Sequence, residues 1–254
     1  MESKRIALLI PTTSANRNWA SIKDSYLYRF MIPSLLNTID SNNSYTIYLG
    51  IDKQDNLFDN KASCRKIKEL LNKSSAKITL NITKFTDIQK GHLTKMWNIL
   101  FQKAYDENND YFYQCGDDIN FKTKNWVNDC INALQQKNDI GLSGPINNNP
   151  NILTQGLVSR KHMEIFGWFF PEEIINWCCD DWYNILYSPT YLMPLKIHYC
   201  SNDGGTPRYT INNNNDFSIN REVFNINLIN LRNQAKKIAD RDKVKLNNYI
   251  LGNQ

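Results

Sequence analysis

Two adjacent carboxylates, Asp117 and Asp118, follow an aromatic run in the segment YFYQCGDDINF. Aromatic residues favour strands, so the run predicts a core strand over Tyr111–Gln114. Burying two adjacent carboxylates is costly unless a cation or hydrogen bonds compensate their charge. Because hard oxygen ligands suit Mg²⁺ or Mn²⁺, the pair predicts a divalent metal site at the end of this strand. The alternative is an exposed turn in which the two Asp residues cap the next segment.

A second carboxylate pair, Asp180 and Asp181, lies in the aromatic-rich segment WFFPEEIINWCCDDWYNILY. An Asp among aromatic side chains is expected to have a raised pKa and can act as a general base. The alternative is the solvated stripe of an amphipathic helix over 172–187, with the aromatic residues in the core. His198 stands inside a predicted strand at 195–200, either as a metal ligand or as a structural histidine of the core.

Strands and helices alternate along the first half of the chain. Hydrophobic runs predict strands at 6–10, 45–51, 76–85 and 111–114, and apolar residues at helical spacing predict helices at 26–38, 64–71 and 93–105. This order is typical of an α/β fold with a mostly parallel central sheet flanked by helices. In such a sheet the ligand crevice lies at the carboxyl ends of the strands. We therefore expect Thr12, Thr13, Asp52 and the Asp117–Asp118 pair to meet at one edge.

The second half is less regular. It predicts helices at 126–134 and 172–187, short strands at 140–143, 156–159 and 195–200, and one or two basic amphipathic helices at 221–250. No repeat or linker divides the chain. The simplest organisation is one domain over 1–215 with a C-terminal helical extension over 216–254 packed on it.

The composition and the absence of certain motifs argue against several classes of protein. The 254 residues carry a formal charge of +5 with no block of like charge, which argues against a nucleic-acid partner. No apolar run is long enough for a transmembrane segment, and the N-terminal run stops at Pro11, so we expect a cytoplasmic protein without a signal peptide. Six cysteines without CxxC spacing indicate free thiols. P-loop, GxGxxG, GxSxG and HExxH motifs are absent. Abundant Asn, Ile and Lys suggest an AT-rich genome, such as that of a large virus or bacterium.

The order of these elements resembles that of GT-A glycosyltransferases, a Rossmann-like fold. The matching features are the Pro-Thr-Thr loop at 11–13, Asp52 after the second strand, Lys90-Gly91 before a helix with Trp97-Asn98, Gly116-Asp117-Asp118 as a DXD-type motif, and the late His198. Asp180-Asp181-Trp182 is similar to the Asp-Asp-Trp pattern of inverting Golgi N-acetylglucosaminyltransferases. The first position of the DXD-type motif departs from the family pattern, because Gly116 occupies it.

The resemblance implies an inverting, family-2-like glycosyltransferase of hexosyl or N-acetylhexosaminyl type. It would move a sugar from a nucleotide-sugar, a UDP-sugar by preference, to a hydroxyl of a glycan or other acceptor, with Mn²⁺ or Mg²⁺. The implied roles are as follows: Asp118 and His198 bind the metal; Asp181, or else Asp180, is the base; Asp117 reaches the ribose or a metal-bound water; Asp52 binds the nucleoside; Pro11, Thr12 and Thr13 line its base; and Lys90 faces the diphosphate.

Two other functions fit parts of the sequence. A nucleotidyltransferase also pairs a nucleotide-binding fold with acidic metal ligands, but it usually carries a Gly-rich basic loop after the first strand. This chain has PTTSANRN there. A non-catalytic carbohydrate- or protein-binding module would explain the aromatic residues at 168–170 without the acidic pair.

Overall fold

One eight-stranded sheet organises the protein, whose computed structural model describes residues 3–89, 91–205 and 221–252. The strands are β1 (Arg5–Thr12), β2 (Ser44–Asp52), β3 (Lys77–Phe85), β4 (Tyr111–Gln114), β5 (Ile119–Phe121), β6 (Leu142–Ile146), β7 (Gly156–Ser159) and β8 (Leu192–Asn202). Their order in the sheet is β3-β2-β1-β4-β7-β6-β8-β5. Strands β3, β2, β1 and β4 run parallel, so the predicted α/β architecture is confirmed.

Helices cover both faces of this sheet. They are α1 (Ile32–Thr38), α2 (Lys61–Leu71), α3 (Leu93–Asp106), α4 (Trp126–Gln135), α5 (Arg160–Phe166), α6 (Cys179–Tyr187) and α7 (Arg221–Gly252). A π-helical turn at Leu27–Met31 precedes α1. Pro33 stands in the first turn of α1, where a missing N–H costs nothing, so it is well suited to the start of this helix.

Strand β1 is buried on both faces, which explains its unbroken apolar sequence. Ile6, Leu8 and Ile10 pack into one core with α1, α2 and α4. Ala7 and Leu9 face the opposite core, which is built with α3, α5, α6 and α7. The central strand and its carboxyl end are therefore held rigidly between two hydrophobic layers.

Three of the differences between the structure and the sequence prediction concern whole elements or their start. The helix predicted over 172–187 begins only at Cys179, because Cys178 adopts a left-handed backbone with φ of 68° that a helix cannot contain. Strand β5 was not predicted, since its three residues owe their strand geometry to pairing with β8, about 80 residues later in the chain. Helix α5 was also missed, although Ser159 caps it by accepting a hydrogen bond from the Lys161 N–H.

The C-terminal segment forms one long helix rather than two. Ala235, Ala239 and Leu246 of α7 are buried against the core that contains α5 and α6. The predicted boundary between residues 215 and 216 lies outside the described residues. No helix within the described ranges, α7 included, is long and apolar enough to cross a membrane. All six cysteines are free thiols, as predicted.

Candidate active site

A cavity of about 390 Å³ opens where β1, β2 and β4 end. These strands place Thr12 and Thr13, Asp52, and the Gly116–Asp118 turn on its walls. The side chains come from three distant parts of the sequence and meet because parallel strands present their carboxyl ends to the same edge. The expected convergence is therefore observed for all three strand ends.

Asp117 is fully buried at the base of this cavity. The Thr12 hydroxyl donates a short hydrogen bond to its Oδ2 atom. Because a buried carboxylate is stable only when its oxygens are satisfied, this contact fixes Asp117 against the end of β1. Asp117 thus links the first and fourth strands at the floor of the site.

Two glycines enclose the carboxylate of Asp118. A Cβ atom on Gly116 would collide with one of its oxygens, and a Cβ on Gly204 would collide with the other. The Asp203 N–H also donates to the Asp118 carbonyl oxygen at 3.0 Å. A side chain at position 116 would therefore displace the Asp118 carboxylate from its present position.

The loop after β1 is tied down by Asp55, a residue that the sequence analysis did not select. Its carboxylate accepts hydrogen bonds from the Ser14 N–H at 2.7 Å, the Ser14 hydroxyl at 2.8 Å and the Thr13 hydroxyl at 3.2 Å. Burial alone would raise the pKa of Asp55, but N–H donors from Phe58 and Ser14 outweigh it and lower the pKa. Asp55 therefore stays ionised and holds residues 13–14 beside the cavity.

Arg17 is the single cationic side chain among the described residues that line the cavity. It faces a site with four carboxylates: Asp52, Asp117, Asp118 and Asp180. An Arg17 Nη2 atom donates to the Gly204 carbonyl at 3.2 Å, and its guanidinium lies 5.3 Å from the Tyr26 ring centroid. Arg17 was not predicted, because nothing in its sequence context separates it from an exposed loop arginine.

The opposite part of the wall is the start of α6. The left-handed backbone at Cys178 turns the chain so that Cys178, Cys179 and Asp180 line the cavity. Asp180 is half-buried, and its surroundings raise its pKa to about 7, chiefly through burial and then through the negative charge of Asp181. A carboxyl group with this pKa can accept a proton near neutral pH.

Asp181 is placed differently from its neighbour. It is not among the described lining residues, and its Oδ1 atom lies 3.5 Å from Nε of Arg232 on α7. Of the two acidic residues predicted as candidates for the base, the structure brings Asp180 to the cavity and Asp181 to an ion pair.

His198 is not brought to the cavity. Its Nδ1 atom lies 3.1 Å from the Thr123 hydroxyl, and its Nε2 atom lies 2.7 Å from Asp129 Oδ2. Both ring nitrogens are engaged in these contacts, and the side chain is buried between β8 and α4. These contacts are those of a structural histidine of the core, which was the alternative to a metal ligand.

The predicted Lys90 lies outside the described residues. The Trp97-Asn98 pair on α3 is well defined, and its two side chains do different things. Trp97 lines the cavity and donates from Nε1 to the Leu9 carbonyl at 3.2 Å. Asn98 Oδ1 accepts from the Phe169 and Phe170 N–H groups at 3.0 and 2.8 Å, so it shapes the aromatic segment that leads to α6.

The donor set at Asp118 suits a hard cation, although the described residues contain no group of three His, Cys, Asp or Glu side chains placed for one metal ion. Mg²⁺ typically keeps several waters and binds through one or two carboxylates plus substrate phosphates. A cavity wall with four carboxylates and one arginine also needs positive charge before it can hold a diphosphate. Asp118 therefore fits a metal that arrives with, or is completed by, a phosphorylated ligand.

No protein-family model and no curated protein matches this chain, but several solved structures do. The chain has the fold of Staphylococcus aureus TarS. A crystal structure of TarS 1–349 with UDP-GlcNAc superposes with a TM-score of 0.56 at 12% identity, covering 94% of this chain and 70% of that one. The same fragment with UDP gives a TM-score of 0.51 at 10% identity, covering 94% and 69%.

A longer TarS structure gives a TM-score of 0.51 at 12% identity and is covered only in part. The match includes 77% of this chain and 36% of TarS, so the chain spans about a third of that protein's length. Similarity at this level of identity establishes the fold. This fold has the Rossmann-like α/β arrangement, with a mostly parallel central sheet flanked by helices, that the sequence predicts.

Proposed function

We propose that this chain is a metal-dependent glycosyltransferase that transfers a sugar from a nucleotide-diphosphate sugar to an acceptor hydroxyl with inversion. The observation that carries the proposal is the cavity itself, which combines Asp118 at the end of the parallel strands with Asp180, whose pKa is about 7. The TarS complexes with UDP and UDP-GlcNAc, which share the fold, support a UDP-sugar donor.

The nucleotide is assigned to the strand-end side of the cavity. Pro11, Thr12 and Thr13 line the nucleoside base, Asp52 accepts a hydrogen bond from the nucleoside, and Asp117 faces the ribose. The firm attachment of this loop to Asp55 supports the assignment, because a preformed loop binds with a smaller entropic cost.

The diphosphate is assigned to Arg17 and to the metal on Asp118. A bound Mg²⁺ or Mn²⁺ supplies positive charge that makes the nucleoside diphosphate a better leaving group. Arg17 supplies a fixed guanidinium, whose fork of donors matches phosphate oxygens. In this proposal Arg17 faces the diphosphate, the role that the resemblance implied for Lys90.

Asp180 is assigned the role of general base. Its carboxylate accepts the proton of the acceptor hydroxyl while the hydroxyl oxygen forms a bond to the anomeric carbon. The bond from that carbon to the diphosphate oxygen breaks, and the nucleoside diphosphate leaves with the electron pair. One displacement at the anomeric carbon inverts its configuration. Asp181 does not take this role in our proposal, because it pairs with Arg232.

A donor panel tests the function. Purified protein is incubated with UDP-GlcNAc, UDP-glucose, UDP-galactose and GDP-mannose, with Mn²⁺ or with EDTA, and with an added glycan or with water alone as the acceptor of the sugar, and released nucleoside diphosphate is measured. We expect release of UDP from one UDP-sugar that depends on Mn²⁺ and is absent with EDTA. Release of pyrophosphate from a nucleoside triphosphate and a sugar phosphate, without UDP release, would instead identify a nucleotidyltransferase. Binding of a glycan without any turnover would identify a carbohydrate-binding module.

A further inference from the structure

The C-terminal helix α7 is anchored directly on the helix that carries Asp180. Trp182 of α6 donates from Nε1 to Oδ2 of the fully buried Asp242 at 3.2 Å. Arg241 Nε donates to the other oxygen of Asp242 at 2.9 Å. Because a buried carboxylate satisfied in this way tolerates little movement, the Trp182 bond fixes the position of α7 relative to the first turn of α6.

This anchoring brings one cation of α7 to the acidic pair of α6. Arg232 Nε lies 3.5 Å from Asp181 Oδ1, with 54% of the arginine side chain and 19% of the aspartate side chain exposed. The Asp181 N–H in turn donates to Asp180 Oδ1 at 3.1 Å. Asp180, Asp181 and Arg232 therefore form a contiguous row that leads from the cavity to the surface of α7.

We propose that Arg232 is a positioning residue for the candidate site and that it sets, with Asp181, the electrostatic environment of the Asp180 carboxyl group. The effect of Arg232 on turnover rests on the proposed function. The electrostatic coupling of Asp180, Asp181 and Arg232 does not. Arg232 acts on Asp180 from another element, without contacting substrate. The C-terminal helix thereby becomes part of the catalytic apparatus instead of a structural addition.

The signs of the charges give the direction of each effect. The negative charge of Asp181 raises the pKa of Asp180 after burial, and the positive charge of Arg232 lowers it. Among the described residues, the other titratable or charged groups at the start of α6 and on the cavity wall are Cys178, Cys179, Tyr183, Asp52, Asp117, Asp118 and Arg17. The three thiol and phenol groups have raised pKa values and stay neutral at pH 7, so Arg232 is the compensating cation on the α7 side.

Opposite shifts in two variants test the proposal. For kcat/KM of metal-dependent UDP release, the acidic limb should move to higher pH in Arg232→Gln and to lower pH in Asp181→Asn. Each shift should amount to about 0.2–0.7 of a pH unit, the range expected of partly exposed charges. The double variant should return towards the wild-type profile, because the two charges act with opposite sign. Lys236→Gln removes an exposed cation one turn further along α7 and should leave the profile unchanged.

A stability measurement makes the test independent of turnover. With its pKa raised in the folded state, Asp180 contributes stability below about pH 4 that is lost as pH rises towards 7. Denaturant unfolding between pH 4 and 8 should show this loss in the wild type, its absence in Asp180→Asn, and its extension to higher pH in Arg232→Gln.

Identical unfolding profiles in the wild type and Arg232→Gln, or shifts of equal sign in Arg232→Gln and Asp181→Asn, would overturn the proposal even if the chain transfers sugars. An absence of sugar transfer with the expected unfolding profiles would instead refute the proposed function alone.

Discussion

Asp118 and Asp180 have different environments in the same cavity, and our proposal gives them different chemical roles. Asp118 follows the end of a parallel strand and lies between two glycines on the wall of the cavity. Asp180 sits at the start of a helix, where burial and a neighbouring negative charge raise its pKa to about 7.

Replacing Asp118 tests the metal site. Asp118→Asn keeps the size of the side chain and removes its charge, so Mn²⁺-dependent binding of UDP should be lost in calorimetry. Asp59→Asn is the control, because Asp59 pairs with Lys84 away from the cavity. Unchanged Mn²⁺-dependent affinity in Asp118→Asn would remove this residue from the site.

Replacing Asp180 tests the base. Asp180→Asn cannot accept a proton, so turnover should fall by roughly 10²–10⁴-fold, the usual contribution of general base catalysis. Donor affinity should barely change. In the wild type, kcat/KM should rise with pH up to about 7, because the carboxylate is the active form. Equal losses of turnover in Asp180→Asn and Asp181→Asn would contradict the assignment of one residue to the cavity and the other to the ion pair.

At the scale of elements, the loop that contains Gly204 is as important as the strand ends. Any side chain at this position would push the Asp118 carboxylate out of place. We therefore expect Gly204→Ala to weaken Mn²⁺-dependent UDP binding by roughly 10- to 100-fold, the usual cost when a metal ligand loses its support. Gly252→Ala is a suitable control, since nothing lies within 4 Å of a Cβ at that position. Retention of full affinity by Gly204→Ala would show that Asp118 can move without consequence.

Asn98 on α3 supports a second element, the aromatic segment before α6. Its side chain accepts hydrogen bonds from two backbone N–H groups and donates to the Phe170 carbonyl at 2.8 Å. Asn98→Ala should lower the free energy of unfolding by about 2–4 kcal/mol in denaturant titrations, because each buried group left unpaired costs about 1–3 kcal/mol. Gln102→Ala, on an exposed position of the same helix, should change it by less than about 0.5 kcal/mol. A similar loss in both variants would mean that the hydrogen bonds of Asn98 stabilise the fold no more than an exposed side chain does.

These elements also show which parts of the molecule can be predicted from sequence. Strands β1 to β4 follow from their hydrophobic runs, and the meeting of Thr12, Asp52 and Asp117 follows from parallel topology alone. Arg17 and Asp55 could not be predicted, because their positions depend on how the loop after β1 folds. His198 was a candidate ligand only by its place in the chain order, and its pairing with Asp129 depends on a contact 69 residues away in sequence.

At the scale of the whole molecule, two hydrophobic layers hold a central sheet whose carboxyl edge forms the side of the cavity that we assign to the nucleotide. The second half of the chain supplies the other side, through α6 and its contact with α7. This division explains why the site draws residues from 11 to 205.

A crystal structure with Mn²⁺ and a UDP-sugar that the donor panel identifies tests the account most directly. We expect the uracil beside residues 11–13 and Asp52, Arg17 on the diphosphate, and the metal about 2.0–2.3 Å from an Asp118 oxygen, the usual range for small divalent cations with oxygen ligands. The Asp180 carboxylate should face the anomeric carbon of the sugar. A nucleotide bound elsewhere, or a metal without Asp118 among its ligands, would contradict the account.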